Sequence, residues 1–226
     1  MKDLSKEIIK FAEQKGADLV GIVDISKINF PKGHHPTDYL SRAKSAISIA
    51  CSLNKGGILN LPTSRNSYML EFNLANRKLN LINHQVGRFL EEKGYLALGV
   101  PGTASIGDAK RLAADLSHKH IAVAAGLGKF GLNNLVITPE YGPRVRFTTI
   151  ITTAELEPTN YEVEQVCNEC LQCVKECPTN ALDDWEDNYT SQEGWRMDKE
   201  RCYHKIFVKL GGNRCGICIK ACPFTD

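Results

Sequence analysis

No run of about 18 apolar residues, the length a membrane-spanning helix needs, occurs in this 226-residue chain. The N-terminus has neither a twin-arginine pair nor the charged-then-apolar layout of a secretory signal. The expectation is a soluble, cytoplasmic protein with no membrane partner. Strong charge of one sign is also missing: a formal charge of +2 with pI near 8.0 is too mild to call for nucleic acid. That mildness averages an asymmetry, since residues 161–226 carry a net −4 and residues 1–160 a net +6. Low-complexity segments are absent, and no repeat is visible apart from paired groups of cysteines.

What is present is a globular composition, 42% apolar, sufficient for one core and a small appended module. Asp3 is placed to cap a helix with Leu4, Ile8, Phe11 and Ala12 on one face and Gly16 as its stop. Strands are expected over Leu19 to Ile25 and Ala46 to Leu53, separated by a polar loop around Pro31, His34, His35 and Pro36. After a Gly56-Gly57 turn, helical spacing over Met69 to Glu92 ends at Gly94. A short strand at Tyr95 to Val100 follows, then a helix over Asp108 to Ala125. Strands at Leu135 to Thr138 and Val145 to Thr153 flank a turn at Pro139 to Pro143. Alternation of strands and helices predicts an α/β layered domain over 1–158. Glu155 to Asn160 reads as a linker, and 159–226 as a second domain.

Eight of nine cysteines fall in that second domain, and without a secretory signal they are read as ligands rather than disulfides. Cys167-x2-Cys170-x2-Cys173-x3-Cys177-Pro178 has the spacing of bacterial ferredoxins, in which the fourth cysteine serves the other cluster. Cys215-x2-Cys218-x3-Cys222-Pro223 repeats the later part of that run, with Cys202 as the displaced first member. Cross-ligation assigns Cys167, Cys170, Cys173 and Cys222 to one 4Fe–4S cluster and Cys202, Cys215, Cys218 and Cys177 to the other. Zinc would accept paired Cys-x2-Cys units but gives no reason for two Cys-x3-Cys-Pro endings. Cys51, inside an apolar strand, reads as a core thiol.

Gly126-Leu127-Gly128-Lys129-Phe130-Gly131 matches G-x-G-x-x-G. A dinucleotide site would need a strand before it and a helix after it, and the order here is the reverse. The glycines instead suggest backbone approaching a flat or bulky ligand. Together with Asn133, Leu135 to Arg146 and the cysteine runs, this segment resembles the core of the reductive dehalogenase and epoxyqueuosine reductase superfamily of corrinoid-binding iron–sulfur proteins. The likeness extends more weakly to Tyr68 through Pro101.

The resemblance implies a nitroreductase-like α/β domain followed by a two-cluster, bacterial-ferredoxin-like module. It implies a base-off cobamide lined by Gly126, Leu127, Gly128, Gly131, Asn133, Thr138, Pro139, Tyr141 and Gly142. Electrons would pass from a low-potential donor of ferredoxin or flavodoxin type through both clusters to cobalt. The twin-arginine export signal of respiratory dehalogenases is not found in the sequence, so respiratory dehalogenation is not expected, and the segment carrying the proton donor of epoxyqueuosine reductases is unmatched near Leu112 to Leu116. Tyr68, Tyr95, Tyr141 and Asp115 are then candidate proton donors. His34, His35, His118 and His120 are candidate cobalt ligands, and Arg144 and Arg146 candidate partners for an anionic group. Two other functions fit the same residues: an electron carrier that reduces or holds the corrinoid of a partner such as a methyltransferase, and a flavin-containing iron–sulfur protein.

Overall fold

The computed structural model describes residues 2–30, 33–103, 114–159 and 161–225. Two compact units emerge, each drawing on three stretches of chain: 1–51, 75–127 and 146–162 in the first; 52–74, 128–145 and 163–226 in the second. The first is a mixed α/β unit built on a four-stranded sheet of order β1-β2-β6-β3, with β1 Leu19–Asp24, β2 Ser45–Ser52, β3 Ala97–Val100 and β6 Val145–Thr152. β1 pairs antiparallel with β2, Leu19 opposite Ala50, and β3 antiparallel with β6, Ala97 opposite Thr152. β2 and β6 are buried almost without interruption, as strands covered on both faces must be.

Helix α1, Lys2–Gln14, packs on β1, and the one-turn helix α2, Pro36–Tyr39, falls between β1 and β2 in the chain. Ile8 and Ala12 are fully buried, and Gly16, at φ +101°, provides the left-handed stop. Asp3 lies within the first turn rather than ahead of it, where its carboxylate complements the helix dipole. Phe11 stacks at 4.8 Å on Phe89 of α4, Arg65–Glu92. Farther along α4, the Asn83 amide donates to the Thr148 hydroxyl (2.8 Å) and the Thr149 carbonyl (3.0 Å). Gly99 leaves the room that the Asn83 side chain fills.

Several expectations shift. Gly56 and Gly57 sit inside a short helix, α3 Lys55–Leu59, because Gly57 lets its backbone close on Ser67 and Glu71. The expected linker after Ala154 is tied down along the first unit. Leu156 N–H donates to Ser45 Oγ, Glu157 N–H to Ser5 Oγ, and Thr159 exchanges hydrogen bonds with Ile22. Of the helix expected over Asp108 to Ala125, residues 108–113 lie outside the described residues, 114–117 are not helical, and helix α5 covers His118–Ala124. No helix among the described residues is long and apolar enough to cross a membrane.

The second unit is smaller in its elements: the hairpin β4 Lys129–Phe130 and β5 Val136–Ile137, and the one-turn helices α6 Gln172–Lys175, α7 Lys199–Tyr203 and α8 Ile217–Lys220. Leu132, Cys173, Leu182 and Trp195 form its core. Asn134 stitches that core together, its amide donating to Trp195 O (3.0 Å) while Trp195 Nε1–H donates to Leu132 O (3.0 Å).

Candidate functional site

The two cysteine runs fold alike. Between Cys170 and Cys173, Leu171 takes a left-handed φ of 62°; between Cys215 and Cys218, Gly216 takes φ 72°. Each starts a one-turn helix, α6 or α8, that carries the second cysteine of the pair. The positive φ reverses the chain so that cysteines three apart turn toward one space, a conformation that strains leucine and suits glycine. The helices α6 and α8 pack on each other.

Cys167, Cys170, Cys173 and Cys222 line one small cavity, with Leu132, Asn133 and Ile137 among its other walls. The sequence assigned these four cysteines to one cluster, and the structure brings them together. Burial pushes the Cys173 thiol up to about 12, with the charges of Cys167, Cys222 and Cys170 acting in the same direction. Cys222 is raised to about 11, again by burial first, with Cys167 and Cys170 contributing. Cys218 is raised further by burial, and the neighbours whose charge it feels are Cys202, Cys215, Cys173 and Cys177. Metal ligation requires these thiols to ionise, so binding would release their protons.

Among the described residues no three His, Cys, Asp or Glu side chains converge as ligands of one metal ion. Four thiolates spread around a shared space suit a polynuclear group that takes one thiolate per iron; tetrahedral zinc needs all four within about 2.3 Å of one point. A buried polar atom adds to the fit. Asn133 is 4% exposed and its NH2 has no partner among the described residues. Its Oδ1 accepts from Leu135 N–H at 3.1 Å, which fixes the amide's orientation.

The return segment is held from the N-terminal side of α4. Arg65 donates to the carbonyls of Arg214 (2.7 Å) and Cys215 (2.6 Å), Tyr68 packs against Gly216, and Lys220 donates to Leu61 O. Nothing in the spacing signals these supports. The Asn133-Asn134 pair in a glycine-rich loop, with Asn134 at φ 55°, was the one legible hint of a specialised turn.

The glycine-rich segment is placed differently from the cysteines. Gly126, at φ +74°, is closed by Tyr161 within the first unit, where Leu127 is also buried. In the second unit Gly128 faces Ile137 O, where a Cβ would come within 2.5 Å, and Gly131 faces the Ile137 side chain. Thr138 and Gly142 close the turn over Pro139 and Tyr141 with paired hydrogen bonds of 3.0 and 2.9 Å. Gly142, at φ +57°, is closed by the Phe224 carbonyl. The room each glycine leaves is filled by the chain itself. The chain's own packing therefore accounts for these glycines.

The remaining candidates scatter. His118 has no nitrogen left for cobalt: Nε2–H donates to Pro101 O (2.9 Å) and Nδ1 accepts from the Thr149 hydroxyl (2.8 Å). His34 meets Asp115 O, His35 meets Thr37, and His120 meets Ser117, each through Nδ1. Arg144 is buried and donates to Leu53 O. Arg146 donates to Gly102 O and Thr103 Oγ1, so the two arginines do not serve one anion. Cys51 is 1% exposed and raised to about 11 by burial, a core thiol.

Residues 166–225 match the model of the 4Fe-4S dicluster domain. The tetrachloroethene reductive dehalogenase of Sulfurospirillum multivorans is 30% identical over 149 residues, 61% of this chain and 27% of that protein. The epoxyqueuosine reductase of Bacillus anthracis is 25% identical over 98% of this chain and 64% of its own length. Among solved structures, a catabolic reductive dehalogenase superposes with a TM-score of 0.81 at 20% identity, over 100% of this chain and 32% of that one. The epoxyqueuosine reductase of Streptococcus thermophilus gives 0.66 at 21%, over 99% and 66%. At these identities the structures show a shared fold, and the chain spans about a quarter of the curated dehalogenases' length. The cysteine runs thus match a dicluster iron–sulfur domain, and the chain along the rest is similar to reductive dehalogenases and epoxyqueuosine reductases.

Proposed function

We propose that the protein is an iron–sulfur oxidoreductase in which residues 159–226 hold two 4Fe–4S clusters and relay single electrons to an acceptor in the nitroreductase-like domain of residues 1–158. The observation that carries the reading is the gathering of Cys167, Cys170, Cys173 and Cys222 around one cavity, in the combination that cross-ligation requires. The second set is Cys202, Cys215, Cys218 and Cys177. When bound, each cluster supplies one-electron chemistry at a potential set by burial and by hydrogen bonds to sulfur. The chain contributes the thiolates, an apolar wall from Leu132 and Ile137 that limits water, and Asn133 as a donor.

The acceptor in this proposal is a cobamide, on the strength of the sequence likeness to reductive dehalogenases; one relative's structure is described in terms of B12-dependent dehalogenation. The chain-filled glycine loop favours a second reading, in which the protein delivers electrons to a corrinoid carried by a partner. Anaerobically purified protein, loaded with iron and sulfide and mixed with hydroxocobalamin, separates the two. Stoichiometric uptake with a base-off spectrum supports a resident cobamide. No uptake, with reduction of a separate corrinoid protein, supports the carrier. Failure of both tests would refute the corrinoid part, and absence of iron–sulfur absorption would refute the whole.

A further inference from the structure

Charge divides sharply inside the cysteine-bearing region. Residues 161–198 carry two Lys/Arg against ten Asp/Glu, whereas residues 199–226 carry six against two. The basic part begins with α7, which contains Cys202, and continues directly into a π-helical turn, His204–Lys209. π turns are rare and concentrate at functional positions. Tyr203, Phe207 and Val208 are 38%, 40% and 61% exposed there, interleaved in sequence with Lys199, Lys205 and Lys209. The platform is braced from below. Tyr203 stacks on Phe207 at 4.5 Å, and the Arg214 guanidinium lies 5.2 Å from the Phe207 ring and 5.1 Å from that of Phe72. Among the described residues the ion pair on this segment is Arg201 with Asp198; Lys199 and Lys209 are exposed and Lys205 is half-buried.

A braced patch of exposed aromatic and aliphatic groups ringed by lysine has the composition of a small transient interface: an apolar centre for contact and a charged rim for steering. Its opposite charge is an acidic face. We infer that this segment is the docking surface for a small acidic one-electron carrier of ferredoxin type, which delivers electrons to the cluster served by Cys202. The inference rests on the iron–sulfur reading above and names the electron-entry surface for it. Charge complementarity selects both partner and place. The acidic stretch 161–198 repels an acidic protein, so within the cysteine-bearing region its approach is favoured at the basic stretch, which also holds a cluster ligand. Lysines beside aromatics also suit RNA, but the patch contains a cluster ligand, and proximity to the cluster serves electron entry rather than phosphate binding.

The test is stopped-flow reduction of the cluster-loaded protein by a reduced, acidic two-cluster bacterial ferredoxin, with dithionite as the small-reagent control. The double variant Lys205→Glu/Lys209→Glu is expected to slow ferredoxin-driven reduction about tenfold at low ionic strength, with dithionite reduction and iron content unchanged. The difference should shrink as salt is raised. Lys6→Glu/Lys10→Glu on α1 is expected to behave as the unaltered protein. If charge reversal impairs cluster loading, Lys209→Gln makes the same comparison with about a threefold effect expected. An unchanged ferredoxin rate, or an equal loss in the α1 variant, overturns the inference. Binding of a stem-loop RNA that Lys205→Glu/Lys209→Glu weakens, while the ferredoxin rate holds, overturns it in favour of RNA. A protein that dithionite cannot reduce refutes the iron–sulfur reading itself, a distinguishable failure.

Discussion

Replacing Asn133 with leucine removes a buried N–H donor from the wall of the cavity that holds four of the cysteines. Leu135 N–H occupies the Asn133 carbonyl oxygen, so the NH2 group is turned away from the chain's own acceptors. With sulfur in the cavity it has a partner of negative charge. A hydrogen bond to a charged group is worth roughly 1.5–3 kcal/mol, and adding an electron strengthens it. At the upper end of that range, with about half of it differential, roughly 1.4 kcal/mol separates the two redox states, which for one electron is about 60 mV. Asn133→Leu should therefore lower the midpoint potential of one cluster by about 60 mV, and Asn133→Asp, which adds negative charge, should lower it further. EPR-monitored redox titration reads both clusters in one sample, so the second serves as internal reference. An unchanged potential, or equal shifts of both centres, would refute the reasoning.

Cys222→Ser and Cys177→Ser should each remove about four irons, and different ones, because cross-ligation ties each to the other run's cluster; iron analysis with EPR of each variant checks this. Gly142→Ala places a Cβ against the Phe224 carbonyl at φ +57°, and should cost about 2 kcal/mol or more in urea denaturation, since a left-handed non-glycine residue alone costs roughly 1–2. Arg65→Met removes both bonds to the Cys215 loop and should speed release of the cluster bound by Cys202, Cys215, Cys218 and Cys177, measured as iron lost to a chelator. Burial holds the His118 pKa down near 4 from 6.5, Arg146 adding to the effect and the Pro101 carbonyl opposing it. The unfolded chain therefore takes up the proton first. Stability should be full above pH 6.5 and fall toward pH 4, by about 2 kcal/mol once the ring's partial solvent contact is allowed for; His118→Gln should flatten the profile in pH-dependent melting.

The cysteine grouping was legible because metal ligation fixes spacing: Cys-x2-Cys and Cys-x3-Cys-Pro leave few geometries for the chain between them. The sheet and the long helix were legible for a related reason, since β2 carries Ala46, Ile47, Ile49, Ala50 and Cys51 in one short run and α4 keeps its helical period through Leu79, Ile82, Val86 and Leu90. What escaped was set by partners distant in sequence. Arg65 reaches carbonyls about 150 residues away, and local pattern carries no trace of that. The segment 155–159, polar enough to read as a linker, is pinned by Ser5, Ser45 and Ile22. The glycines invite a ligand because glycine marks close approach; the group approached is this chain's own backbone. Two contact units that interleave along the sequence are equally invisible to a reading that advances along it.

Iron and acid-labile sulfide measured on anaerobically prepared protein test the central claim most directly. Two 4Fe–4S centres predict about eight of each per chain and negligible zinc. One zinc or two per chain with no sulfide, held by the same cysteines, would contradict it.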